Sequence, residues 1–213
     1  MSLHVDAVAK AVDRHTAQDL YSTVEIVQAL YEAKTAEPTP APGHLAMTWG
    51  SSRNGYADSA LETLLGQAHV PALAFLTGER CMYRVEDRVH GSARNFTLLR
   101  TPAGLARVDT AFSTFFEWCK AHPGTLAELS EGMHGEEEVL AFLRAKSISA
   151  QPYMDRHLHG DEEGDNVGYL IVYLRSVQAV LQFAAAHGLA FLYAQDAYTA
   201  GGGMDEEQEN EEG

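Results

Sequence analysis

Basic residues are scarce in this chain: fifteen lysines and arginines stand against thirty aspartates and glutamates, a formal net charge of −15. A field of that sign repels phosphate backbones and anionic membrane surfaces, and it draws basic partners inward. Nucleic acid and membrane are therefore not the expected partners. Six of the acids crowd the end of the chain, at Asp205, Glu206, Glu207, Glu209, Glu211 and Glu212; without those six the rest still carries −9. Cysteine is almost absent. Cys81 and Cys119 are the two in the chain, neither in a CxxC spacing, which excludes a disulfide framework and points to reduced thiols in the cytoplasm. The opening "MSLHVDAVAKAVDRH" has no continuous apolar core and does not read as a signal peptide. Catalytic signatures are missing too. "TWGSSRNG" places Ser51 and Ser52 between a strand and a helix, yet it matches neither GxSxG nor a phosphate loop, so it reads as a loop.

Long hydrophobic runs are limited to "VGYLIVYLRSVQAVLQFAAA", residues 167–186. Its length approaches a bilayer span, but Arg175, Ser176, Gln178 and Gln182 interrupt it, and a central arginine is costly in lipid. A helix apolar almost all round is the expected centre of a water-soluble core. The polar positions Arg175, Gln178 and Gln182 follow i, i+3, i+7 spacing, so they mark one edge of that helix as the candidate partner-binding strip.

What remains is ordinary globular material: 213 residues, 46% hydrophobic, enough for one domain with extensions. Val5, Val8 and Val12, then Leu20, Val24, Val27 and Leu30 or Tyr31, predict an N-terminal helical arm over residues 1–34. Three prolines between Pro38 and Pro42 predict an extended linker over 35–44. An α+β core is expected over 45–198. It opens with a short strand at 45–49, a turn at "SSRNG", and a helix carrying Ala60, Leu61, Leu64 and Leu65. Two hairpins are expected next, one across "PALAFLTGERCMYRV" and one across "NFTLLRTPAGLARV". Asp109 then caps a helix with Phe112, Phe115, Phe116 and Cys119 on one face, ended by Pro123-Gly124. A helix near Gly135, the long apolar helix stopped by Gly188, and a last strand at 189–194 complete the order. The fold class is α+β: a single domain with a small antiparallel or mixed sheet of about five to six strands, covered by helices mainly on one face. Residues 199–213 form a flexible acidic tail.

Two clusters invite a chemical reading. "RHLHGDEEGD" sets His157 and His159 one residue apart beside Asp161 and Glu163, a donor set that suits zinc or ferrous iron. Its acids equally serve the positive end of the helix that follows. Cys119 and His122 are three apart, as in a thiol–imidazole pair, yet Cys119 shares its face with three phenylalanines and reads as inert core. The expected function is a non-enzymatic interaction protein that needs no cofactor. It would act on a basic protein partner as an acidic inhibitor of the immunity or antitoxin kind, or assemble as a homo-oligomer. The alternatives are a small metal-dependent hydrolase built on the His157/His159 loop, and a structural component of a larger assembly.

Overall fold

Leu3, Val5, Ala7, Ala9 and Ala11 alternate with His4, Asp6, Val8 and Lys10. That period of two, not 3.6, decides the N-terminus: Ser2–Val12 is a strand, β1. The helical arm expected over residues 1–34 is corrected here for residues 2–12, and residues 13–34 lie outside the described part of the chain. The computed structural model describes residues 2–12, 48–78, 83–87, 92–129, 135–144 and 167–200. In chain order they form β1, β2 (Thr48–Asn54), α1 (Gly55–Gln67), a 3-10 helix (Pro71–Thr77), β3 (Tyr83–Asp87) and β4 (Ser92–Leu99). There follow α2 (Pro102–Ala121), α3 (Pro123–Glu128), α4 (Glu136–Arg144), α5 (Val167–Ala186) and β5 (Ala190–Ala200). The class is α+β, helices packed on an antiparallel sheet.

The sheet runs β2-β1-β5-β4-β3 with every neighbour antiparallel. The first and last strands meet at its centre, paired from Ser2 with Ala200 to Val12 with Ala190. β1 is thus part of the core, not a separable arm. Along β1 and β5 the side chains alternate between two faces. Ala9, Ala11, Phe191 and Tyr193 join the large core under the helices, while Val12, Ala190, Leu192 and Leu98 form a second buried cluster on the other face. Lys10, opposite Leu192, shares that second face, and burial holds its ammonium below the usual lysine range.

Two expected hairpins give way to helices. Pro71 sits in the first turn, and Leu73 with Leu76 follows the three-residue repeat of a 3-10 turn, so "PALAFLT" coils and buries Leu73, Phe75 and Leu76. Its Phe75 ring meets Tyr193 of β5 edge-on at 5.2 Å. In "RTPAGLARV" the Thr101 hydroxyl accepts from the Gly104 N–H at 3.1 Å and Pro102 opens the helix, which makes Thr101 the cap of α2. Asp109, expected as that cap, lies two turns inside. The "SSRNG" turn is corrected as well: Ser51 and Ser52 are strand residues of β2, paired with Ala7 and Asp6.

α5 is the hub of the helical layer. Tyr173, Leu174, Val177, Val180, Leu181 and Ala184 are all sealed from solvent, on a helix with buried residues around most of its circumference. The small Ala9 and Ala11 of β1 leave room for a helix to lie close to the sheet. Helix α1 ends in a Schellman turn, with Val70 N–H bonded to the Leu65 carbonyl at 3.3 Å and His69 N–H to Gly66 at 3.2 Å. α5 ends the same way, with Leu189 N–H on Ala184 at 2.8 Å. The left-handed position is Gly188 (φ 68°) in α5 but His69 (φ 52°) in α1. A β-carbon there is strained. His69→Gly should therefore raise unfolding stability by about 0.5–1 kcal/mol in urea titration, and Gly188→Ala should lower it by about 1 kcal/mol.

Candidate functional site

Helices α2 and α5 lie antiparallel, since Asp109 near the start of α2 meets Gln178 and Gln182 toward the end of α5. The Asp109 Oδ1 atom accepts from both amides, at 2.8 Å from Gln178 Nε2 and 2.9 Å from Gln182 Nε2. Both bonds fall on one oxygen, so Oδ2 has no partner among the described residues. Beside this carboxylate opens a cleft of about 390 Å3, lined by Pro102, Leu105, Ala106, Asp109, Leu181, Gln182 and Ala185. Its walls are mostly apolar, and its acid is held in one orientation by two donors. A second, wider cleft of about 520 Å3 lies between α1 and the 3-10 helix, with Glu62 and His69 among its lining residues.

Arg175, the third member of the strip, does not reach Asp109. Its guanidinium donates to the Leu143 carbonyl in the last turn of α4 and lies 4.9 Å over the Phe116 ring. The negative end of a helix and an aromatic face thus compensate its charge. Burial lowers its pKa, and its Nε has no hydrogen-bond partner among the described residues. The strip is thus divided: Arg175 ties α4 to α5, while Gln178 and Gln182 tie α5 to α2.

A second polar group lies within the core. Asn95 of β4 pairs across the sheet with Gln195 of β5, and Thr97 with Tyr193; all four are buried. The Tyr193 hydroxyl meets that of Tyr173 on α5 and donates to the Leu76 carbonyl at 3.3 Å. Gly78, left-handed at φ 79°, closes over this group: a β-carbon there would stand 2.5 Å from Asn95 Nδ2. Thr97 Oγ1 is buried with no hydrogen-bond partner among the described residues. These contacts fix β4, β5 and the 3-10 helix against one another.

The thiol–imidazole pair is not assembled. Cys119 is fully buried, and burial pushes its thiol up to about 12, against which a backbone hydrogen bond acts weakly. His122 instead stacks on Trp118 at 4.6 Å, with Nδ1 on the Trp118 carbonyl at 2.8 Å. His157, His159, Asp161 and Glu163 lie outside the described residues, as does the 199–213 tail beyond Ala200. Among the described residues no three histidine, cysteine, aspartate or glutamate side chains gather as a metal site, and no helix is long and apolar enough to cross a membrane. No protein-family model, curated protein or solved structure matches the chain.

Sequence reasoning found the Gln178/Gln182 edge but missed its counterpart. Nothing local to Asp109 announces a tertiary role. The one available signal was Thr101-Pro102, a stronger helix start, which frees Asp109 for other work.

Two outcomes follow. Gly78→Ala should cost about 1–3 kcal/mol in urea titration, because both the backbone and Asn95 must shift. Cys119 should resist iodoacetamide at neutral to mildly basic pH in the folded chain and react once the chain is unfolded, as read by mass mapping. The raised thiol pKa favours the folded state at low pH; its contribution is full below the unfolded value of 9.0 and fades as pH climbs toward about 12. Ready alkylation of folded protein would contradict the burial.

Proposed function

We propose that the chain is a non-enzymatic interaction protein whose partner is a basic protein, in the manner of an acidic inhibitor that covers a cationic surface. The observation that carries this reading is the excess of exposed acid on the helical layer. Among the described residues Glu62, Glu117, Glu128, Glu136 and Glu137 are exposed, against exposed Arg107 and Lys120, and Lys120 is already bound to Glu117 at 2.7 Å. The chain as a whole carries −15. Such a surface accelerates encounter with cations and rejects anionic partners by charge alone. Glu136 and Glu137 also complement the start of α4, but Glu62 is in a middle turn of its helix and Glu117 and Glu128 sit near helix ends where acids are unfavourable. Their placement serves the surface, not the helices.

The test is fluorescence anisotropy with a short amidated peptide of repeated Gly-Arg-Leu, and with its Gly-Glu-Leu counterpart, across a salt series. The arginine peptide should bind, its Kd rising about tenfold or more between about 50 and 300 mM salt as screening takes hold, while the glutamate peptide stays unbound. Absent binding, or binding indifferent to salt, would overturn the reading.

A further inference from the structure

We infer that the cleft between α2 and α5 receives an arginine side chain of the basic partner, with Asp109 as its anchor; the inference rests on the partner reading given above. An arginine offers a flexible apolar stem ending in a planar cation with five donors and no acceptor. The cleft offers the complement. Leu105, Ala106, Leu181 and Ala185 supply apolar wall for the stem, on which long basic side chains pack readily. Asp109 supplies the charge, and Gln178 with Gln182 hold it still by loading Oδ1, at 2.8 and 2.9 Å. What remains toward an incoming group is Oδ2 and the Gln182 amide oxygen, both acceptors. At about 390 Å3 the cleft stands near the lower end of ligand pockets, roughly 300–1,000 Å3, and has room for one long side chain.

Charge argues for a cation and against an anion or a neutral apolar group. Among the described residues no lysine or arginine pairs with Asp109, so a half-buried carboxylate faces the cleft uncompensated. Its two amide bonds are charge-assisted and orient it, but they leave its net charge intact. Arg100 and Arg107 stand before and within the same stretch of α2, so beside the cleft the attraction comes from the Asp109 carboxylate, within the wider acidic surface that steers the partner. This assigns work to Gln178 and Gln182 as positioning residues, and none to Arg175, whose guanidinium is spent on Leu143 and Phe116.

The decisive experiment compares Asp109→Asn with Asp87→Asn at the end of β3, outside the helical layer, each removing one negative charge, in the Gly-Arg-Leu peptide assay. An asparagine oxygen still accepts from both glutamines, so the helices stay joined. Asp109→Asn should weaken binding about tenfold or more, as for loss of a charge-assisted contact, and Asp87→Asn less than about twofold. Ala185→Leu, which fills the cleft from an exposed position, should weaken binding to a similar degree. The methyl NMR signals of Ala106 and Ala185 should shift on titration. If Asp109→Asn and Asp87→Asn weaken binding equally and those methyls stay still, the cleft is not the arginine site, although the acidic-partner reading stands. If the wild-type chain does not bind the peptide at all, both fail together.

Discussion

The pairing of β1 with β5 is the constraint on which the rest of this structure depends. It joins the two ends of the described chain in one antiparallel ladder, from Ser2 with Ala200 to Val12 with Ala190. β2 hangs on β1, and β4 with β3 hangs on β5, so without this pair the sheet falls into two halves, each with an unpaired edge. Closing it requires bringing together segments separated by nearly the whole chain, an entropic cost that the buried area must offset. Alanines at 9 and 11 meet that need by lowering the sheet surface, and the paired strands bury apolar side chains on both faces.

From that base the helical layer follows. α5 runs directly into β5 through the Gly188 turn, so the position of β5 fixes the helix before it. Polar tethers then set its neighbours. Arg175 holds α4 by a carbonyl, and Gln178 with Gln182 hold α2 by a carboxylate. Each tether is a polar group on an otherwise apolar helix, where an unpaired one would be costly. Two of the three thus create, as a consequence of packing, an oriented acid at the edge of a cleft. The cleft is a product of helix registration as much as of its own lining.

Much of this was legible beforehand, and the failures share a cause. Helices α1, α4 and α5 follow single-period patterns, and Gly188 marks its turn plainly; the last strand, expected over 189–194, runs on to Ala200 and takes Thr199 and Ala200 out of the expected tail. In β1 two periods overlap: Val5, Val8 and Val12 fit a helix stripe, while Leu3 through Ala11 fit strand alternation. Alanine, the best helix former, tilts a local reading the wrong way. Only the distant ladder with β5 settles it. The 3-10 helix was misread because a short apolar run is ambiguous without its partners, and here the partner is Tyr193, far along the chain. Asp109 shows the same limit at the level of the site. A carboxylate in mid-helix says nothing alone, and its meaning comes from two glutamines on another helix.

Native-state hydrogen exchange on the full chain tests the central pairing most directly. Amides of β1 such as Ala9 and Ala11 should exchange only through global opening, with protection within about 1 kcal/mol of Val177 and Leu181 in α5, since a central strand and the hub helix belong to one cooperative unit. Exchange of β1 at the rate of an unprotected chain, while α5 stays protected, would contradict the account and return the N-terminus to a detachable arm.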